Sequence, residues 1–369
     1  LNTDYERGRR YIRRIRSLLA DQHLQVPDRM TFTCYRRLIE VEYLCGNSEE
    51  VDRLFEIVID QANFSDHDKV SFYALYVKIL AGLNRMGEAL KTGQQGVALW
   101  GSKGPKYKHK IGLFWDHFSM KYTVRRWLKR DPSHQHDPDA MNRTLLLTEI
   151  AVAAHTMGDQ SWLRFTIREM MQLSQQCQCD YLLAHALVAY AFLLASQFND
   201  TRTAYHLGQK AMSFIPSITF VDIIIKIQLI YGSFILPWYR PYAQGRDLLD
   251  RNRQLALSSA DYYFACFSDA NYRILHFSIS PIPSIQSLKD YLTFSAMEGF
   301  YDILTYYIKL LVERPPCTLD EIYTGVQTEE AGLYHYIQRY FIQLLMTLYG
   351  NTPSRCLKMA LDVSARFSC

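Results

Sequence analysis

Residues whose types and spacing could do chemistry are few in this chain. In the loop "SHQHDP", His134, His136 and Asp137 stand close enough to share a metal ion. No second ligand cluster at a recognisable spacing accompanies them, so a solvated loop accounts for them better. Cys177 and Cys179 form a Cys-x-Cys at the end of an apolar run, where neighbouring thiols are ordinary structure more often than ligands or redox centres. The stretch "GSKGPK", Gly101 to Lys106, lacks the spacing and the following helix that cradle a phosphate. The carboxylate pairs Glu49/Glu50, Asp320/Glu321 and Glu329/Glu330 follow turns or open helices, where negative charge suits the helix dipole. Nothing around them sets their protonation apart as acid–base catalysis requires. No Ser/His/Asp or Cys/His arrangement stands out by spacing. The expectation is a chain that is not an enzyme, with no catalytic residue, no metal and no cofactor.

The aromatic clusters "DYYFACF" (Asp261 to Phe267) and "YYIKLL" (Tyr306 to Leu311) read as core between helices rather than as a ligand cage. Charge is concentrated instead at the start. "YERGRRYIRRIRSLL" carries Arg7, Arg9, Arg10, Arg13, Arg14 and Arg16. On a helical wheel Tyr5, Tyr11, Ile12, Ile15, Leu18 and Leu19 share one arc and the arginines the other. The segment predicts an amphipathic helix that buries its apolar arc and shows guanidinium groups to water or to an acidic partner. Arg9, Arg10, Arg13, Arg14 and Arg16 are the candidates for such docking.

Composition bounds the elements that must position these groups. Of 369 residues, 49% are hydrophobic and 14% aromatic, and Tyr (26) outnumbers both Gly (17) and Pro (12). That profile is of a folded chain rather than a disordered one, and sparse turn signals favour long helices over a sandwich or barrel. The net charge of +4 is unevenly spread: residues 1–130 hold 23 Lys and Arg against 15 Asp and Glu, the remainder 18 against 22. A basic first third points to an acidic partner or to nucleic acid. Nucleic acid ranks behind, because no aromatic-interleaved basic strand accompanies the charge. Eight scattered cysteines, mostly in apolar runs, fit a reducing, cytoplasmic setting. No signal peptide is visible, and the opening Leu in place of Met is expected of a fragment of a longer protein. "ITFVDIIIKIQLIYGSFIL", Ile218 to Leu236, is the best membrane candidate, but Asp222, Lys226 and Gln228 interrupt it. Charges near the middle of a span cost about 2.5 kcal/mol or more each, so no membrane span is expected there and a buried helix is.

Four segments share one arrangement. Gly46, Asn84, Gly158 and Asn199 are each followed at offsets 5, 9 and 12 by apolar or tiny residues: Val51, Phe55 and Val58; Ala89, Gly93 and Gly96; Leu163, Ile167 and Met170; Ala204, Gly208 and Ala211. Gly and Asn take the left-handed conformation that ends a helix, and offsets 5, 9 and 12 lie on one face of a following helix that packs closely on the first. The anchors are spaced by 38, 74 and 41 positions, the period of helical solenoids. The middle gap, near twice 37, predicts a degenerate repeat inside it. A basic turn-like stretch (Ser102 to Lys110) and the proline-bearing loop Lys129 to Asn142 lie in that gap, with Asp139 or Asn142 as N-cap of the next helix. "ILPWYRPYAQG", Ile235 to Gly245, must turn or kink at its prolines. The predicted fold is all-α, a right-handed superhelix of tetratricopeptide-like helix pairs. Its parts are a basic block at 1–130, a linker loop at 131–139, a central block at 140–315 and helical pairs capping the end at 316–369.

The blocks "EVEYLCGNSEEVDRLFEIVIDQA", "DKVSFYALYVKILAGLNRMGEALKTGQQGVALWG", "LLAHALVAYAFLLASQFNDTRTAYHLGQKAMSF" and "ALSSADYYFACFSDANYRILHFSIS" resemble the tetratricopeptide-like central region of large multidomain signalling proteins. There an AAA-type or STAND-type ATPase, often after a kinase-like domain, precedes a helical superhelix and sensor and histidine-kinase modules. The resemblance runs through roughly residues 5–312 and implies a non-catalytic arm that binds a protein or peptide partner, including the flanking ATPase or kinase domains of the same polypeptide. The working surface of such an array is the concave one lined by the first helix of each pair. Counting back 10, 6, 3 and 2 positions from each anchor, by analogy with tetratricopeptide repeats, gives Arg36, Glu40, Lys78, Thr148, His155 and Gln197, with Tyr190 one position beside. Two alternatives stay open. One is a small-molecule or peptide sensor of the kind found in helical-repeat transcription activators, and the other is nucleic-acid binding through the basic first third.

Overall fold

A computed structural model describes residues 2–19, 28–60, 64–83, 85–105, 117–124, 137–177 and 179–277. The anchors Gly46, Gly158 and Asn199 have φ of 80°, 75° and 52°, the left-handed turn that their residue types anticipate. At Gly46 the chain closes with Gly46 N–H donating to Tyr43 O and Asn47 N–H to Glu42 O. At Gly158 the same pair of bonds runs to His155 O and Ala154 O, so both are Schellman closures. Asp200 N–H reaches one residue further back, to Leu194 O at 2.9 Å, a wider turn at Asn199. Asn84 lies outside the described residues, yet Arg85 N–H donates to Leu80 O at 2.8 Å, the closing bond expected around it.

Each anchor separates two helices. The described helices are α1 (Asn2–Leu19), α2 (Asp28–Leu44), α3 (Ser48–Asp60), α4 (Asp66–Gly82), α5 (Met86–Ala98), α6 (Pro138–Thr156), α7 (Gln160–Cys177), α8 (Asp180–Gln197), α9 (Thr201–Ser213), α10 (Val221–Ile230), α11 (Tyr242–Ser258) and α12 (Tyr262–Phe277), plus a helical stretch at 117–124. No β-strand occurs among the described residues, so the fold is all-α. Their starts are capped as the sequence dictates: Ser65 and Asp68 form a reciprocal capping box on α4, and Asp200 accepts from Thr203 N–H on α9. The cap of α6 is neither Asp139 nor Asn142 but Asp137, whose Oδ1 accepts from Ala140 N–H at 3.1 Å. Pro138 then takes the first helical position, where its missing N–H costs nothing.

A further left-handed residue, Ala260 at φ 57°, closes α11, with Ala260 N–H donating to Leu257 O and Asp261 N–H to Ala256 O. Sequence reading does not find it because alanine carries a Cβ that opposes this conformation by roughly 1–2 kcal/mol.

Spatial neighbours divide the chain into two units: Leu1–Lys108 with Asp137–Ala153, and His109–His136 with Ala154–Cys369. The division falls inside α6. Of the linker expected at 131–139, residues 131–136 lie outside the described residues, while Pro138 and Asp139 already belong to α6; everything beyond Phe277, including the capping pairs at 316–369, also lies outside them.

In the first unit Val51, Phe55 and Val58, and Ala89, Gly93 and Gly96, are all buried. Full burial of one large apolar side chain stabilises by roughly 1.5–3 kcal/mol. The glycines serve closeness instead. A Cβ on Gly93 would overlap Ile150 of α6, and one on Gly96 would lie 2.7 Å from Leu146 and 2.9 Å from Tyr73. The tiny face of α5 therefore receives the next pair's first helix as well as its own partner α4. The degenerate repeat expected inside the 74-residue gap falls largely on residues outside those described. His67 Nδ1 of α4 is 2.9 Å from Asp139 Oδ1, and Asn142 lies against the other ring nitrogen, so α6 packs directly on α4 and α5.

The second unit repeats the rule. Leu163, Ile167 and Met170, and Ala204, Gly208 and Ala211, are buried, and a Cβ on Gly208 would come within 2.6 Å of Tyr231. Tyr231 belongs to a π-turn, Tyr231–Ile235, that continues α10 and passes into a 3-10 turn, Leu236–Trp238. The kink expected from Pro237 is thus present. The stretch Val221–Trp238 is long and apolar enough to cross a membrane by length and composition, and 56% of it is buried in the protein. Lys226 within it is 2% exposed, with its ammonium 5.1 Å from the centre of the Phe264 ring. Asp261, Tyr263, Phe264 and Cys266 are buried, which places that cluster in the core as read.

Two glycines of α5 give opposite expectations. Gly87 has open space around a new Cβ, whereas Gly93 does not. Gly87→Ala raises the urea midpoint by up to about 1 kcal/mol of stability through helix propensity. Gly93→Ala lowers it by about 1–3 kcal/mol through overpacking against Ile150.

Candidate functional site

The first helices of successive pairs lie side by side. In the first unit Phe32/Phe72 and Tyr43/Gly82, near the two ends of the helices, join α2 and α4 in the same chain order, so the two helices run parallel, with Arg36/Ser71 between them. In the second unit Tyr181/Phe220 and Phe192/Phe234 do the same for α8 and α10. Each unit therefore carries a row of parallel first helices, which is where the candidate side chains were placed.

On the first row Arg36 Nη1 donates to Ser71 Oγ at 2.8 Å, spanning α2 to α4. Glu40, one turn along, lies 3.4 Å from Arg36 Nε and 2.7 Å from Arg37 Nη1. The Arg36 and Glu40 side chains keep 37% and 25% of their surface, and Lys78 is half-buried on α4. These three share a mixed-charge, partly wet face that can exchange ion pairs with a ligand. Thr148 does not join them. It is buried, its hydroxyl donating to Thr144 O at 2.7 Å.

In the second unit His155, half-buried, sits edge-on to Phe192 at 5.1 Å and to Phe234 at 6.4 Å, forming a row of rings across α6, α8 and the π-turn. Gln197 Nε2 donates to Gln160 Oε1 at 2.5 Å. Tyr190 is 2% exposed, its hydroxyl 3.2 Å from His117 Nδ1, and burial pushes its pKa up. Burial withdraws both Thr148 and Tyr190 from any open surface. Sequence spacing could not detect this, since a hydroxyl at a helix position reads as wet until its neighbours are known.

The opening arginines are divided by the fold. Glu42 of α2 has no exposed side-chain surface, and Arg13 Nε donates to its Oε1 at 2.6 Å while Arg9 approaches Oε2 at 3.9 Å. Asn47 Nδ2 completes the carboxylate at 2.7 Å. Arg9 and Arg13 thus meet an acidic group of the protein itself, while Arg13 keeps 48% of its side chain exposed. Tyr11, expected in the buried arc, is 73% exposed. A fully desolvated carboxylate needs charge-assisted partners, and Arg13, Arg9 and Asn47 supply them. Arg10 and Arg14 are exposed; the Arg16 side chain lies outside the described residues.

Other polar groups serve structure. Arg85 Nη1 grips Asp52 at 2.8 and 3.0 Å, while its Nε and Nη2 reach Glu88 at 2.9 and 2.7 Å. Tyr76 donates to the same Asp52 at 2.7 Å. Buried Asp269 pairs with Arg273 at 2.5 Å and approaches Arg253 at 3.6 Å. Asn252 donates to Ile225 O and Ser268 Oγ, each at 3.0 Å. Among the described residues no group of three or more His, Cys, Asp or Glu could hold a metal ion. His134 and His136 lie outside them. Cys179 is buried and Cys177 half-buried, and Glu49 and Glu50 fall in the first turn of α3.

Comparison with known proteins adds no relative: no family model, no curated protein and no solved structure matches the chain.

Replacing Glu42 by Gln keeps its shape and removes its charge. Hydrogen exchange of α1 amides in Glu42→Gln is expected to accelerate about tenfold, the scale of a charge-assisted bond; unchanged protection would mean that the pair does not hold α1. His185 supplies a second readout. It is fully buried, and burial, then the Lys226 charge, pushes its imidazole down to about 3. With the unfolded value near 6.5, stability is complete above about pH 6.5 and is lost as pH falls toward 3. Between pH 7 and 5 the chain should lose about 2 kcal/mol more than His185→Gln in urea titrations.

Proposed function

We propose that the chain is a non-catalytic binding scaffold, a right-handed superhelix of tetratricopeptide-like pairs that receives a protein or peptide on its row of first helices. The observation that carries this reading is the parallel pairing of α2 and α4, with Arg36 bonded across to Ser71 and with Glu40 and Lys78 left partly exposed beside it. Side chains held in place by the fold yet open to water offer ion pairs at little ordering cost. Exposed charges of both signs favour specificity and rate of encounter over affinity. In a multidomain signalling protein of the ATPase type, such an arm would pass a binding event to flanking domains, because each pair touches only its neighbours and a ligand along the row alters their packing. Eight cysteines scattered mostly through apolar runs suit a reducing cytoplasm.

A photo-crosslinking amino acid placed in cells at Lys78, on α4, and separately at Glu56, exposed on the second helix α3, tests it. A discrete protein adduct at 78 and none at 56 is the expected result. Equal labelling at both positions would remove the first-helix row as the binding face.

A further inference from the structure

The sequence offers no contiguous stretch in which aromatic and basic residues alternate, but the fold assembles one from two separate segments. Helix α9, "TRTAYHLGQKAMS", contains no acidic residue. Arg202, His206 and Lys210 are exposed on it and follow one another at successive turns, about 6 Å apart. Asp200, just before the helix, is engaged as its cap at Thr203 N–H. Beside α9 lies "PWYRP", Pro237 to Pro241, whose Trp238 and Tyr239 are 50% and 43% exposed. Tyr239 stacks on Tyr205 of α9 with ring centres 4.8 Å apart and planes at 19°. Arg240 Nε donates to the Tyr205 hydroxyl at 2.8 Å.

These rings are held out rather than left over. The Trp238 indole N–H donates to Phe234 O at 3.1 Å, the prolines on either side restrict the backbone, and the preceding π-turn is seated by Gly208 against Tyr231. π-Turns of this kind recur at functional sites. A large aromatic surface kept in water gains nothing for folding, and preorganised rings lose little freedom on contact. Flanking cations with no anion on their own helix call for a polyanion that also brings flat apolar faces.

We infer that Trp238, Tyr239 and Arg240, with Arg202, His206 and Lys210 of α9, form a binding surface for single-stranded nucleic acid. The cations meet phosphates and the exposed rings stack on bases. An acidic protein segment would use the cations but give the indole and phenol faces no matching partner. A bilayer would need a contiguous aliphatic face that α9 does not present. This surface is separate from the α2/α4 face, so the two readings stand or fall independently.

The test uses the whole chain and fluorescence anisotropy with labelled oligothymidylate and oligouridylate of about 20 nucleotides, spanning the site size of single-strand binders. Binding to either is expected, falling steeply between about 50 and 200 mM salt. The double variant Trp238→Ala/Tyr239→Ala should weaken it about tenfold or more, with helicity unchanged by circular dichroism. Arg202→Ala/Lys210→Ala should flatten the salt dependence, whereas Arg10→Ala/Arg14→Ala on α1 should leave binding intact. No binding at the lower salt overturns the inference. So does binding that polyglutamate of equal charge displaces equally well and that the aromatic variant does not alter, which would assign the surface to an acidic protein. If the double variant unfolds, Trp238→Phe alone, which retains a smaller stacking face, should still show a measurable loss; full retention overturns the inference as well.

Discussion

Where Ile150 approaches Gly93, where Leu146 and Tyr73 approach Gly96 and where Tyr231 approaches Gly208, there is no space for a side chain on the glycine. This close approach is the constraint on which the architecture rests. It lets the second helix of one pair receive the first helix of the next, and it fixes where along the helix that contact falls. Once it is made, first helices stand next to first helices in a set register, as the contacts between α2 and α4 and between α8 and α10 show. A larger residue would separate the pairs and expose the apolar faces that each pair is too thin to cover alone. Dispersion and burial supply the favourable energy, but shape decides which surfaces can meet.

Charge is arranged around that packing. Glu42 is fully buried under Arg13, Arg9 and Asn47, and Asp269 under Arg273 and Arg253. A buried ion pair contributes little net stability against an apolar equivalent, but losing one member of it is costly. Such pairs therefore act on orientation. The Glu42 cluster sets how α1 lies on α2, and Asp269 links α12 to the Arg253 turn of α11. Groups left at the surface, such as Arg36 and Glu40 on one unit and the cations of α9 on the other, are the ones free to meet other molecules. The division between structural and accessible charge follows desolvation, not residue type.

Much of the local organisation was legible in the sequence. The left-handed turns at Gly46, Gly158 and Asn199 follow from residue type, because few side chains tolerate that conformation. The burial of every residue at offsets 5, 9 and 12 follows from helical period. Both are properties of a dozen or so neighbouring residues, and a sequence displays those directly. Ala260 escaped because its turn is imposed by the helices on either side against its own preference. Tyr11 is exposed where the helix wheel puts it in the buried arc, and the wheel contains no information about Glu42, the partner of Arg13 29 positions away.

The sequence by itself thus determined that the chain forms helical pairs, where most of them turn and which faces they bury. Tertiary structure alone decided that α6 packs on α4 and α5, that Thr148 and Tyr190 are enclosed, and that "PWYRP" lies beside the cations of α9. The physical reason is range. Turn chemistry and helical periodicity act over a few residues, whereas which pair stacks on which, and which polar groups are desolvated there, depends on contacts between segments that the linear order leaves far apart.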